Sequence, residues 1–223
     1  MQITEIYSSI QGESSFAGLP CIFVRLTGCN LRCDWCDSEY TFTGGMKMTL
    51  EQVLSEIRRL APVTLLEITG GEPMLQQREV IPLMQQLITS GYTVLLETSG
   101  ERPLAEVPAQ VIKIVDVKCP DSGEGDSFDL ANLEALTPRD ELKFVLSSRG
   151  DYEFARDFLR QHAPVASAIF SPAFRKDAQG SRDASNCLLD PQQLAEWILA
   201  DGLQVRLGLQ LHKFIWQPEL KGV

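Results

Sequence analysis

Three cysteines, Cys29, Cys33 and Cys36, stand at C-x3-C-x2-C spacing in the short polar stretch G-C-N-L-R-C-D-W-C-D-S, residues 28–38. Thiolate sulfur suits iron–sulfur clusters, zinc and copper(I), and three thiolates this close in sequence can wrap one soft metal centre. The odd count is informative. No Cys or His follows within the next fifty residues to complete a four-ligand site. A 4Fe–4S cluster held by three thiolates leaves one iron open to a substrate or cofactor, whereas structural zinc or an ordinary iron–sulfur centre is the competing use of a short cysteine cluster. Cys21, Cys119 and Cys187 are scattered, and Cys21 opens the apolar run Cys-Ile-Phe-Val, which reads as core.

Further chemistry-bearing residues fall at the ends of apolar runs. Arg25 interrupts the run over 21–27. It reads equally as a snorkelling edge residue and as a guanidinium clamp for a carboxylate. Gly70-Gly71-Glu72-Pro73 follows the run Leu65–Thr69; its glycines let backbone carbonyls approach an ammonium group, although Gly-Gly before Pro is also ordinary turn chemistry. Thr98-Ser99, Asp116 and Lys118, Ser171-Pro172, and Gln210 with His212 end later runs. Singly, Glu97 and Lys143 read as solvated strand ends and His212 as a satisfied structural histidine. Their joint placement is what points to a site, because parallel α/β folds gather ligands at the carboxyl ends of their strands.

The elements that must position these residues follow from periodicity. Strands are expected at 3–8, 21–27, 65–69, 93–97, 111–117, 141–146, 167–170 and 203–209. Helices are expected from Thr49, with a capping-box pattern, to Pro62, and over 78–90, 151–162 and 191–200, with a short one near 129–136. Residues 121–127 are expected to form a flexible acidic loop, and 174–187 a polar one. Alternating strand and helix predicts a parallel sheet of six or seven strands with crossover helices. The 223 residues suit one compact domain, 1–223, and fall short of the ~250 of a closed eight-stranded barrel, so the expected architecture is α/β, a partial, open parallel barrel. Periodicity alone leaves a doubly wound topology open.

The chain is 44% hydrophobic and 22% charged, with net charge −10. That balance argues against a direct nucleic-acid role and against anionic membranes, both of which favour a basic surface. No apolar run approaches the ~18 residues of a membrane helix. The start, Met-Gln-Ile-Thr-Glu-Ile, lacks a secretory pattern, and six cysteines without an export signal fit a reducing cytoplasm.

The cysteine spacing resembles the signature of the radical S-adenosylmethionine (SAM) superfamily, whose open iron is chelated by SAM and whose reduction yields a 5′-deoxyadenosyl radical. The segments Gln11-Gly12-Glu13, Gly18-x-Pro20, Phe23–Leu31, Cys36-Asp37, Ile68–Pro73, Glu97–Gly100, Lys118 and Gln210-x-His212-Lys213 are similar to one family within it, the 7-carboxy-7-deazaguanine synthases. The resemblance implies a lyase that converts 6-carboxy-5,6,7,8-tetrahydropterin to 7-carboxy-7-deazaguanine with loss of ammonia, in queuosine and deazapurine synthesis. It implies a 4Fe–4S cluster on Cys29, Cys33 and Cys36, recycled SAM, Mg2+, a reductant such as flavodoxin or ferredoxin, and a cytoplasmic homodimer. Ile10, Gln11, Gly12, Arg25, Thr69 and His212 would then face the substrate. Trp35, Cys36, Asp37, Gly71, Glu72, Ser99, Asp116, Val117, Lys118, Ser171 and Pro172 would face SAM. Ser38 stands where the family usually has a threonine that ligates Mg2+, and Asp116 where many relatives carry a small or hydroxyl residue. The chain also continues past His212 to Val223, which bears on how the substrate is closed in. Two rivals are a glycyl-radical-enzyme activase, which does not need Arg25 with Gln11-Gly12-Glu13, and a non-catalytic iron–sulfur electron-transfer module, which does not need Gly70-Gly71-Glu72.

Overall fold

Residues 1–176, 183–217 and 220–222 are described by a computed structural model. β1 (Gln2–Ile10) and β2 (Pro20–Leu26) pair antiparallel, and β3 (Met46–Lys47) joins the free edge of β1, also antiparallel. From β2 onward the pairing is parallel, through β4 (Leu65–Gly70), β5 (Thr93–Thr98), β6 (Ile112–Asp116), β7 (Glu141–Leu146), β8 (Ser167–Pro172) and β9 (Arg206–Leu207). The expected parallel sheet is therefore mixed at one edge. The 11–19 connection that turns β1 back onto β2 has no room for a crossover.

The sheet order is β3-β1-β2-β4-β5-β6-β7-β8-β9. It never reverses, whereas a doubly wound sheet requires a reversal at its switch point. With right-handed crossovers, sequential order sends every parallel connection to the same face. Helices α1 (Leu50–Arg59), α2 (Gln77–Thr89), α3 (Arg149–His162) and α4 (Pro191–Asp201) accordingly pack on one side, over Val24, Ile68, Leu96, Phe144 and Phe170. The opposite face is free to line a cavity. β3 and β9 end the sheet without meeting, so the fold is an open, partial β/α barrel.

Alternation along the strands sorts that inner face by height. Near the strand starts, Cys21, Phe23, Leu65, Leu95, Ile112 and Ile114 form a small apolar floor, with Tyr7 stacked on Phe23 at 5.2 Å between ring centres. Two residues further along the same strands come Arg25, Glu67, Glu97, Asp116 and Lys143. The wall thus changes from apolar to charged toward the carboxyl ends.

Several local expectations differ from the structure. The β5–β6 connection contains no helix, and 3-10 turns (Leu130–Ala135) replace the short helix near 129–136. The strand expected at 203–209 pairs only at Arg206 and Leu207. Beyond Leu207 the chain leaves the sheet to carry Gln210 and His212 to the cavity, and a one-turn helix, α5 (His212–Ile215), follows. The acidic stretch 121–127 is tied down: Glu124 accepts from Arg32 N at 2.6 Å and the Ser122 carbonyl from Asp34 N at 3.0 Å. The polar loop expected at 174–187 lies partly outside the described residues.

The capping box at α1 is formed. Thr49 Oγ1 accepts from Gln52 N at 3.2 Å, and Gln52 Oε1 accepts from Thr49 N at 2.8 Å. Thr49→Ala is expected to cost about 1 kcal/mol, a fall of about 3 °C in Tm by circular dichroism. An unchanged Tm would show that the box contributes nothing to the fold.

Candidate active site

One cavity of about 550 Å³ opens at the carboxyl ends of the parallel strands. Two loops build its upper rim. The first leaves β2 and carries Cys29, Cys33 and Cys36; the second is the Gly70-Gly71-Glu72-Pro73 turn after β4. They are laced by backbone: Gly71 N donates to Leu26 O at 3.2 Å, and Glu72 N donates to Gly28 O at 2.8 Å. A Cβ on Gly71 would lie 2.3 Å from Gly28 O and 2.7 Å from Cys29 Cβ, so only glycine allows this approach. Gly71→Ala must push the cysteine loop outward. A shift of that order is expected to lower SAM cleavage about a hundredfold, read as 5′-deoxyadenosine formed by the reconstituted protein; wild-type cleavage would refute the packing role.

Glu72 lies beneath this turn, fully buried. Its Oε1 accepts from Met74 N at 2.9 Å and Thr98 Oγ1 at 2.7 Å, and its Oε2 from Ser99 N and Ser99 Oγ, both at 2.8 Å. The carboxylate therefore bolts the end of β5 under the β4 turn. It does not line the cavity, and nor do Val117, Ser171 and Pro172, which are packed in the protein. The other sequence-predicted residues do line it: Ile10, Gln11, Gly12, Arg25, the three cysteines, Trp35, Asp37, Ser38, Thr69, Gly71, Ser99, Asp116, Lys118 and His212.

The three thiols are free and half-buried. Burial raises the Cys29 thiol and pushes Cys33 up to about 11, with Lys118 opposing it. Such thiols ionise when a metal takes the proton's place. Among the described residues no three His, Cys, Asp or Glu side chains converge on one point, as a mononuclear zinc site requires. A cubane cluster asks for less, since its three thiolates bind three different irons. The donor set, three free cysteines on one cavity-lining loop, fits a 4Fe–4S cluster, which Cys29, Cys33 and Cys36 would hold.

Lower down, Glu97 and Lys143, which read singly as solvated strand ends, are joined in a network of polar groups along the cavity wall. Lys143 Nζ pairs with Glu13 at 2.7 Å and with Glu97, and lies 3.6 Å from Asp116, which Lys118 holds at 2.8 Å. Gln11 Nε2 donates to Glu67, and Thr69 Oγ1 to Glu97 at 3.3 Å. Burial works against the Glu13 carboxylate, but Lys143 and His212 hold it down at about 2. Burial together with Glu97 and Glu13 drives Glu67 well above the usual carboxyl range. Period-2 alternation in L-L-E-I-T and E-L-K-F was the available signal for Glu67 and Lys143. It shows which face a residue takes, but not that this face is enclosed.

Arg25 sits across the cavity. Its Nε pairs with Glu5 at 3.0 Å and its Nη2 donates to Tyr7 OH at 3.2 Å, while Tyr40 OH also donates to Glu5 at 2.8 Å. One edge of the guanidinium is thus anchored by residues that sequence reading missed. Among the described residues Nη1 makes no bond. The C-terminal segment closes this side: Leu211 N donates to Gly12 O at 2.9 Å, and Lys213 bridges Asp37 at 2.8 Å and Gln210 at 2.9 Å. A Cβ on Gly12 would lie 2.2 Å from His212 Nδ1, so glycine lets the imidazole sit flat on the 11–13 loop. Burial lowers the His212 pKa. Residues 220–222 reach the same rim.

A strand-end cavity under a three-cysteine loop, on an open β/α barrel, defines a class, and comparison with known proteins agrees. Residues 23–159 match the family model described as the radical SAM superfamily, and the chain belongs to it. Among individual proteins, a 7-carboxy-7-deazaguanine synthase from Koribacter versatilis is 69% identical over 226 residues, covering 100% of both chains. One of the same name from Chlorobaculum tepidum is 41% identical, covering 100% of this chain and 97% of that one. The chain is a member of the 7-carboxy-7-deazaguanine synthase family. The crystal structure of QueE from Escherichia coli shares the fold, with TM-score 0.73 at 24% identity over 95% of this chain and 94% of that one.

Proposed function

We infer that this chain, acting as one radical SAM domain, is an enzyme that converts 6-carboxy-5,6,7,8-tetrahydropterin to 7-carboxy-7-deazaguanine with loss of ammonia. The observation that carries this is end-to-end identity of 69% with a relative of that name. The cavity supports it: the three cysteines and a carboxylate-lined wall, with Arg25 opposite, share one enclosed space. An electron-transfer module or a protein-docking activase has no use for such a wall.

The cluster and SAM, when bound, supply a radical able to remove an unactivated hydrogen, which no side chain can do. The protein's part is to hold, orient and enclose. Arg25 is assigned the substrate carboxylate, and Ile10, Gln11, Gly12, Thr69 and His212 the pterin. Trp35, Cys36, Asp37, Gly71, Ser99, Asp116 and Lys118 are assigned to SAM, with Glu72 acting through Ser99 and the turn above it. Val117, Ser171 and Pro172 support that wall from behind.

Mg2+ belongs to the same reading. Magnesium prefers oxygen ligands and keeps several waters, and Ser38 brings a hydroxyl to the cavity, 3.7 Å from Cys36 Sγ. Ser38→Ala is expected to abolish stimulation of turnover by Mg2+ while leaving SAM cleavage intact; undiminished stimulation removes Ser38 from the role. A flavodoxin- or ferredoxin-type donor, a homodimer and a cytoplasmic setting complete the proposal, and sedimentation tests the dimer. Among the described residues no helix is long and apolar enough to cross a membrane.

The deciding experiment is anaerobic incubation of the reduced, reconstituted protein with SAM, Mg2+ and the carboxypterin, followed by mass spectrometry. Deazaguanine product in excess of SAM consumed is expected. Cleaved SAM with untouched pterin would overturn the substrate assignment.

A further inference from the structure

The charged wall carries an asymmetry that its individual residues do not reveal. Four carboxylates face one another across β4 to β6 and the 11–13 loop, and they do not have equal partners. Glu13 and Glu97 share Lys143. Asp116 has Lys118 at 2.8 Å, with Lys143 at 3.6 Å. Glu67, only 2% exposed, is in no ion pair among the described residues; its partner is the neutral amide of Gln11.

A buried carboxyl without a cation stays protonated, because an unpaired charge cannot be desolvated cheaply. Lys143 therefore decides which members of the wall are anions and which keeps its proton. It is itself 4% exposed at the side chain and has no access to solvent by which to relax away. Both of its bonded carboxylates line the cavity and each has a second donor, Gln210 Nε2 at 2.9 Å to Glu13 and Thr69 Oγ1 at 3.3 Å to Glu97. Glu97 is the more open, 25% exposed against 16%.

We propose that Lys143 is a positioning residue for the substrate: it holds Glu97 as an anionic acceptor aimed into the cavity and leaves the neighbouring O–H donor to Glu67. This rests on the reading that the substrate is a carboxylated pterin. The 2-amino-4-oxo ring of a pterin offers N–H donors beside a carbonyl acceptor, so it meets an acceptor and a donor held side by side. Through Glu13 and Gln210 the same lysine also ties this wall to the C-terminal segment.

The remaining titratable groups facing the set are Arg25 from β2, Lys118 from the loop after β6 and His212 from α5. Glu141, one layer below Lys143 on β7, is engaged by Ser15 N at 3.0 Å. Arg25 is already paired with Glu5 and Lys118 with Asp116. None of these can replace Lys143 between Glu13 and Glu97.

The test uses the oxidised holoenzyme with SAM, which binds substrate without turning over. Affinity for 6-carboxytetrahydropterin is measured anaerobically by titration calorimetry from pH 8 to pH 5. Lys143 helps to hold the Glu13 carboxyl down, so removing the cation raises it and leaves Glu97 without its paired charge. In Lys143→Met the pH at which binding is lost on acidification is therefore expected to move up by about one unit or more relative to wild type, with affinity at pH 7 down about tenfold. Lys143→Arg is expected to restore the wild-type profile. A Lys143→Met profile that runs parallel to wild type, whatever its absolute affinity, overturns the proposal, because a purely structural lysine would act equally at every pH. If that variant fails to load its cluster, Glu97→Gln decides. The proposal requires weaker binding in Glu97→Gln; undiminished affinity overturns it. Wild-type protein that binds no pterin at any pH would instead sink the substrate reading beneath it.

Discussion

Arg25→Ala is expected to lower kcat/KM for the carboxypterin about a thousandfold, the loss of two charge-assisted hydrogen bonds at about 2 kcal/mol each. SAM cleavage in the absence of pterin is expected to continue. The split follows from the geometry. Arg25 lies on β2 at the side of the cavity, anchored by Glu5 and Tyr7, and among the described residues it makes no hydrogen bond or ion pair to the cysteine loop. Its Nε edge is fixed in the protein, which leaves the far edge pre-set for a carboxylate and lowers the ordering cost of binding. Arg25→Lys keeps the charge but loses the fork, and should recover only part of the activity. Comparing 5′-deoxyadenosine formed with pterin consumed checks both statements. Turnover at the wild-type KM in Arg25→Ala would remove the residue from substrate binding.

Glu72→Ala acts on the scaffold. Four donors from Met74, Thr98 and Ser99 lose their acceptor in a site with no solvent. Unsatisfied buried donors cost about 1–3 kcal/mol each and the losses are not additive. A total near about 4 kcal/mol is expected, which lowers Tm by about 10 °C for a chain of this size. Because the same carboxylate holds Ser99 and the Gly70-Gly71 turn, SAM affinity should fall with stability. Glu72→Gln retains acceptor capacity on one atom only and is expected to lie between. Differential scanning calorimetry of apoprotein reads the stability effect free of cofactor; a Tm within a degree or two of wild type would show that the turn does not depend on Glu72.

Taken together, these two substitutions separate the halves of the site. One removes the proposed substrate contact and spares the frame; the other loosens the frame beneath the residues assigned to SAM. Residues 70–73 resemble a ligand-binding motif as a unit, yet Gly71 faces the cavity while Glu72, its neighbour, turns inward.

How far the sequence reaches can be judged residue by residue. The three cysteines were legible because ligand spacing along one loop is a local property. So were α1 with its capping box, α2, α3 and most parallel strands, since apolar period and capping chemistry act within a few residues. The family membership was legible for the same reason, from motifs along nearly the whole chain. What the chain alone could not show was the antiparallel β1–β3 edge, the two-residue β9, or the inward turn of Glu72. Nor could it distinguish Glu67, Glu97 and Lys143 from solvated strand ends. Those outcomes depend on which strand lies next to which, and on what covers each face. Asp116 and Lys143 become neighbours through the β6–β7 register, although they are far apart in the chain. Glu13 and Gln210 meet only because the C-terminal segment folds back across the 11–13 loop. Local sequence sets residue types and periods; burial and charge pairing, which decide protonation and orientation in this site, arise only when the sheet curls and brings distant strands around one cavity.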